Sequence, residues 1–211
     1  MTRALLQLRR QPSQARSQET FEDILKAASE LLDDVGWDGF NTNLLAQRAG
    51  VAVRAVYRYF PNKLAVVSTL AQRMAEEWDG WFQNFEKMAD HESSWREIWP
   101  NYIDVFIEGV RAQPGGLAIR RAMQASPALQ AIDQEDNERL AMMFARALRR
   151  RQASISLRDA RTAGRLLVET AVTIIDLAMA APPNEQRRLI DELKTMQVAY
   201  LDQCQRRWGN S

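Results

Sequence analysis

Ile24, Leu25, Ala28, Leu31, Leu32 and Val35 recur at offsets that draw a single apolar stripe along one face of a helix. Gly36 follows and reads as the stop of that helix. The helical period persists along the chain, with no alternating strand pattern of useful length, no internal repeat and no low-complexity segment. Further helices are expected near 43–50, 53–60, 62–88, 94–112, 117–124, 129–152, 157–180 and 184–207. Gly50, Pro61, Gln113-Pro114-Gly115-Gly116, Ser126-Pro127 and Pro182-Pro183 punctuate them. The expected fold class is all-α.

A chain of 211 residues suits one ordinary domain, or a small one joined to a larger one, and its 46% apolar fraction suffices for a core. No apolar run is long enough to span a bilayer. The start, MTRALLQLRRQPSQAR, has only a short apolar patch between arginines and is not expected to be a signal peptide. Cys204 is the single cysteine, so no internal disulfide is expected, and it matches no metal-ligand spacing. A cytoplasmic location is the expectation.

The net charge of +1 hides a strong division. Residues 39–75 carry Arg48, Arg54, Arg58, Lys63 and Arg73 and no acid, a charge of +5. Before them, Arg3, Arg9, Arg10 and Arg16 form a basic leader, 1–16, opposed within the first 20 residues only by Glu19. Residues 76–110 hold nine acids against Lys87 and Arg96, a charge of −7. Adjacent segments of opposite sign point to an anionic partner for the first and not for the second. The border is expected inside the helix that begins near Asn62, where a continuous helix would transmit movement from one module to the other.

The two short helices around Ala49-Gly50-Val51-Ala52 form a helix-turn-helix pattern, about 41–60. Asn41 or Thr42 is expected to cap the first. Leu45 and Ala46 face inward, Gly50 makes the turn, Val51 fills the junction, and Val56 and Tyr57 continue the buried side. Val53, Arg54, Ala55, Arg58 and Tyr59 are then expected on or near the outer face. In such units the second helix enters the DNA major groove with its N-terminal residues at the base edges. Arginine bonds bidentately to guanine there, and small apolar side chains touch thymine methyls. Tyrosine hydroxyls and Lys63 suit phosphate oxygens.

The run from Gly36 to Lys63, GWDGFNTNLLAQRAGVAVRAVYRYFPNK, resembles the DNA-binding domain of the TetR family of bacterial transcriptional regulators, and Ile24 to Leu32 resembles its first helix. The anchors are Ala27-Ala28, Gly36, Thr42, Ala46, Ala49-Gly50-Val51, Tyr57, Tyr59-Phe60 and Lys63, within a region of 17–75. The resemblance implies a homodimeric, usually repressing protein that binds double-stranded DNA at a palindromic operator and is released by a small-molecule effector. By position, Thr42 and Asn43 would open the first short helix against the DNA backbone, and Val53 to Tyr59 would be the recognition helix. Tyr57 and Tyr59 would sit at phosphates or in the domain core, and Lys63 at phosphate. Ala52 stands where the family often has Ser, and Arg54 where it often has Gly, so the operator preference is expected to be this chain's own.

Residues 76–211 are expected to form a ligand-binding and dimerisation domain. Trp78, Trp81, Phe82 and Phe85, then Trp95, Trp99, Tyr102 and Phe106, follow helical spacing. Such stripes are core or the wall of an apolar cavity. The candidate effector residues are Trp81, Phe85, Trp99, Tyr102, Phe106, Met123, Phe144, Thr173 and Asp176, Asp176 being a ligand contact or a solvated edge residue. Ala163, Gly164, Leu167, Ala171 and Ile174 make a small-residue seam, and Leu189, Leu193, Met196 and Tyr200 a matching stripe. Internal core is one reading of both; the resemblance implies a four-helix dimer interface.

No catalytic constellation is present in the sequence. His91, the single histidine, lies in a polar connection; no His or Cys cluster suits zinc, no glycine-rich loop follows a strand, and no nucleophile motif occurs. The expectation is a regulator rather than an enzyme, with no cofactor, no metal and no membrane partner. A DNA-binding dimer controlled by a protein partner or by concentration, with a filled second domain, is the alternative.

Overall fold

The computed structural model describes residues 6–89 and 94–209, excepting the side chains of 78–89. Among the described residues there are nine helices and no strand: α1 Ala15–Gly39, α2 Thr42–Arg48, α3 Val53–Tyr59, α4 Lys63–Ala89, α5 Trp95–Ala112, α6 Gly116–Ala125, α7 Pro127–Arg151, α8 Leu157–Ala180 and α9 Pro183–Gly209. The expected all-α fold is what the chain adopts. The glycine stop is real: Gly36, at φ 64° and ψ −177°, breaks the helical geometry of α1, and a short tail runs on to Gly39.

By contact the chain divides into two compact units, residues up to 77 with 110–134, and 78–109 with 135–211, so the borders fall inside α4, α5 and α7. Chain position alone places α6 in the later module; by contact it belongs with α1.

In the first unit Ile24, Leu25, Ala28, Leu31 and Leu32 are buried as their spacing requires, while Val35, beside the Gly36 break, is exposed. Leu45, Ala46, Val56 and Phe60 close on that stripe. Phe21 stacks on Phe60 with ring centres 5.2 Å apart and meets the edge of Tyr59 at 5.3 Å. The α5–α6 turn docks on α1: Ser29 Oγ donates to the Pro114 carbonyl at 2.6 Å. Gly115 has φ +66°, and a Cβ there would lie 2.7 Å from the Ser29 carbonyl oxygen, so only glycine fits. Ile119, Ala122 and Met123 of α6 are buried in the same unit.

The second unit packs α5, α7, α8 and α9. A Cβ on Gly164 of α8 would come within 2.3 Å of the Ala141 carbonyl oxygen of α7, so glycine is what lets the two backbones approach. Gln197 of α9 is buried with its amide satisfied: Oε1 accepts from Trp99 Nε1 at 2.6 Å, and Nε2 donates to the Leu167 carbonyl at 2.7 Å and to Thr170 Oγ1 at 2.8 Å. Arg96–Asp202 at 2.6 Å and Lys194–Asp104 at 2.5 Å add ion pairs between α5 and α9.

Candidate nucleic-acid interface and effector cavity

The helix-turn-helix is built by local chemistry. Asn41 is the cap of α2: its side-chain oxygen accepts from the amides of Asn43 and Leu44 at 3.1 and 3.0 Å. Thr42 is therefore free to turn its hydroxyl to the Tyr57 hydroxyl, 3.0 Å away, which ties the start of α2 to α3. Gly50 has φ +65°, the left-handed turn that glycine supplies, and the Val51 amide donates to the Ala46 carbonyl at 3.0 Å. Ala52, at the N-cap of α3, makes no side-chain cap bond.

The two tyrosines exchange the places expected for them. Tyr57 is 39% exposed, and Tyr59 is 1% exposed. Tyr59 shares the inward side with Val56, three residues before it, and its hydroxyl donates to the Ser17 carbonyl at 3.1 Å. Tyr59 is thus a core residue of this unit, off the outer face where its spacing was expected to put it. Lys63 is also turned inward. Its ammonium donates to the carbonyls of Trp37 and Phe40 at 3.0 and 3.3 Å and lies 3.9 Å from the centre of the Trp37 ring. A helix C-terminus with unpaired carbonyls attracts a cation, so in this structure Lys63 ties α4 to the end of α1.

The remaining basic residues of the +5 segment sort by partner. Arg48 pairs with Asp34, with Glu30 at 3.9 Å, and Arg73 holds Glu22 through both its terminal nitrogens. Arg54 and Arg58 of α3 are exposed and, among the described residues, have neither an acid nor a hydrogen-bond acceptor. Val53 and Asn43 are exposed beside them, and Ala55 is half-buried. The structure thus leaves Asn43, Val53, Arg54, Tyr57 and Arg58 outward, with Thr42 half-buried against Tyr57.

In the second unit a cavity of about 20 Å³ opens between α5, α7 and α8, room for one water molecule by volume. Trp99, Tyr102 and Phe106 line it from α5 and Phe144 from α7. Leu140 and the α8 residues Leu167, Val168, Ala171, Val172 and Ile175 complete it. Spacing does not single these out as wall, because an aliphatic helical stripe looks the same whether it covers core or cavity. The rings of Trp99 and Tyr102 stack at 5.3 Å, and each meets Phe144 edge-on at 5.0 Å. Burial, and then the Asp136 carboxylate, hold the Tyr102 hydroxyl well above its usual titration range, so it is a neutral phenol at any ordinary pH.

Other expected wall residues lie elsewhere. Met123 is buried in the core of the first unit. Thr173 is exposed and Asp176 half-buried, both off the 168–172–175 face that meets the cavity. Trp81 and Phe85 have side chains outside the described residues. The small-residue seam also has a different partner: Ala163, Gly164, Leu167 and Leu193 are buried within this chain, and Ala171 faces the cavity. Ile174, Leu189 and Tyr200 are half-buried and Met196 exposed, and the seam reading missed Leu166 and Leu177, both exposed.

The family described as "Bacterial regulatory proteins, tetR family" matches residues 24–70, and "Tetracyclin repressor-like, C-terminal domain" matches residues 94–201. The chain is 45% identical over 53 residues to the class C tetracycline repressor protein of Escherichia coli, a match covering 25% of this chain and 24% of that one. It is 34% identical over 106 residues to the HTH-type transcriptional regulator EthR of Mycobacterium tuberculosis, covering 50% of this chain and 47% of that one. These matches therefore span between a quarter and a half of the curated relatives' length. A TetR-family transcriptional regulator from Streptomyces coelicolor has a solved structure similar to this one, with a TM-score of 0.65 and 28% identity over 87% of this chain and 98% of that chain. With two family matches that together span the helix-turn-helix and half the chain beyond it, this chain belongs to the TetR family of DNA-binding bacterial transcriptional regulators.

Proposed function

We propose that the protein binds a palindromic operator as a homodimer, acts there as a repressor, and is released by a small, largely apolar or aromatic effector. Residues 17–75 carry the DNA contact, and 76–211 carry effector and dimer contacts. The observation that carries the reading is the pair Arg54 and Arg58, exposed on α3 with no acid partner among the described residues, while Arg48 and Arg73 are paired. An arginine that the fold leaves unpaired on a helix suited to the major groove is available for guanine or phosphate. In a two-fold dimer the two α3 helices would stand about 34–36 Å apart, in successive major grooves.

Leu166, Leu177 and Met196 are exposed apolar residues on α8 and α9, and they support a self-complementary dimer contact through those helices. The apolar wall of Trp99, Phe106 and Phe144 supports an effector of the same character. Since the cavity holds about one water, such a molecule must push its walls apart. The walls on α5 are continuous with the part of that helix that belongs to the first unit. Linkage then requires effector and operator to weaken each other's binding by one factor. The small cavity also supports a second reading, a DNA-binding dimer with a filled domain and no small-molecule effector. Action on DNA places the protein in the cytoplasm on this reading; among the described residues no helix is long and apolar enough to cross a membrane.

The test is titration of the full-length protein with a duplex selected from a random-sequence pool, at salt between about 50 and 200 mM. A steep fall in affinity with salt is expected, because phosphate contacts release counterions. A flat response removes DNA as the partner. Small apolar aromatics that raise the melting temperature and weaken duplex binding favour the first reading; a screen in which none does either favours the second.

A further inference from the structure

We propose that the stretch of the basic leader around Arg9 and Arg10 is a second DNA-contacting element, laid by the fold across the C-terminal end of the recognition helix so that Arg10 meets the operator backbone and the minor groove beside the half-site. This rests on the reading of α3 as the DNA-binding helix.

The last carbonyls of any helix lack intrahelical donors. In α3 the leader supplies them: the Arg9 amide donates to the Tyr59 carbonyl at 2.8 Å, and its guanidinium reaches the Tyr57 carbonyl at 3.4 Å. The stretch around Arg9 is thereby anchored to α3, 48 to 50 residues away in sequence. Arg9 and Arg10 are both exposed, and Arg10 has no acid or acceptor among the described residues. No acid precedes Glu19, so nothing in the leader offsets this charge.

The direction follows from how such a helix docks. Its N-terminal residues, here Val53 and Arg54, address base edges, so its C-terminal end points out of the groove toward the bounding phosphate strand. A segment tied across that end arrives at this strand, and the neighbouring minor groove lies beyond it. Narrow A·T-rich minor grooves concentrate negative potential and attract arginine. Arg10 therefore joins Arg54 and Arg58 as a further cation on one DNA-facing surface, and it confers a preference for A·T pairs flanking the major-groove half-site.

The experiment uses full-length wild type, Arg10→Ala and the Arg9→Ala/Arg10→Ala double variant, with a duplex selected by the wild type and the same duplex carrying G·C pairs in its flanks. The expected result has three parts. Affinity falls several-fold, and the slope of log affinity against log salt drops by about one for each phosphate that the variant no longer neutralises. The wild type discriminates against the G·C flanks, and the double variant does not. Melting temperature stays near that of the wild type, because both side chains are exposed.

Unchanged salt slope and unchanged flank response in variants that still bind overturn the inference and leave the proposed function standing. Loss of discrimination between operator and random duplex at an unchanged slope also overturns it, since the leader would then only hold α3 in place. Absence of duplex binding by the wild type overturns both.

Discussion

The two units treat their aromatic and polar atoms in opposite ways. On α3 the fold buries Val56 and Tyr59 and leaves Arg54, Tyr57 and Arg58 outside, with the two arginines unpaired among the described residues. Around the cavity the fold turns its polar atoms away from the open space: Trp99 donates to Gln197, whose amide hydrogens go to Leu167 and Thr170. The difference shows where each unit can accept a partner. A surface with unsatisfied cations binds without rearrangement, whereas a wall of packed rings admits a guest only by giving way.

Phe144→Ala strikes hardest at the second half of that contrast. Phe144 is buried and meets both Trp99 and Tyr102 at 5.0 Å, so its truncation leaves a hole lined by rigid rings. The expected loss is about 3–5 kcal/mol in urea denaturation, transfer and cavity costs together. Duplex binding by the folded fraction should persist. A loss below about 1 kcal/mol would mean that the wall collapses readily and is not a packed layer.

Arg54→Ala addresses the first half. If Arg54 makes the bidentate base contact that the proposed function gives it, operator binding is expected to weaken by about 1–3 kcal/mol and sequence preference to relax. Stability should hold within about 0.5 kcal/mol, as for other exposed positions. Equal losses on operator and random duplex, by fluorescence anisotropy, would restrict Arg54 to phosphate.

The tyrosines give a finer cut through the same helix. Tyr59→Phe removes the hydrogen bond to Ser17 and is expected to cost about 1 kcal/mol of stability, with duplex affinity of the folded protein unchanged. Tyr57→Phe is expected to do the reverse, since its hydroxyl is exposed and, among the described residues, bonded only to Thr42. Thermal melts and anisotropy on both variants decide it; matching profiles would erase the distinction between them.

These tyrosines also mark the limit of what spacing reveals. Helix existence was legible wherever glycine or proline punctuated it, as at Gly50, Gln113 to Gly116 and Pro182-Pro183. A seven-residue helix has two turns, however, and its facing depends on whether Val56 is grouped with the residue after it or with the one three further on. Tyrosine suits either environment, so composition does not break the tie. The α8 seam fails differently. Small residues announce a close helix approach, but not to what; only the fold identifies the Ala141 carbonyl as Gly164's neighbour. Position in sequence likewise conceals where α6 packs: the turn before it docks on α1 through Ser29, which lies 85 residues before its partner Pro114.

The smallest expected effect separates paired from unpaired cations within the basic segment. Arg73 donates to Glu22 and lies 5.4 Å from the Phe21 ring, so it joins α4 to α1. The hydrogen bond from Arg73 lowers the Glu22 carboxyl below its ordinary value of 4.5; burial opposes the shift and the guanidinium charge adds to it. A carboxylate lowered by folding stabilises the native state above its unfolded value, and that stability drains as pH falls through the folded value. Glu22 is more than half exposed, so solvent screening keeps the contribution below about 1 kcal/mol. Glu22→Gln is therefore expected to lower stability slightly at neutral pH, and the gap should close as the wild type is acidified below 4.5. A gap that stays constant down to the acid limit would locate the effect in packing instead of charge. Because Arg73 is already held by an acid while Arg54 has none among the described residues, Arg73→Ala should leave the salt slope of duplex binding unchanged; a drop of about one in that slope would place Arg73 among the DNA-facing cations.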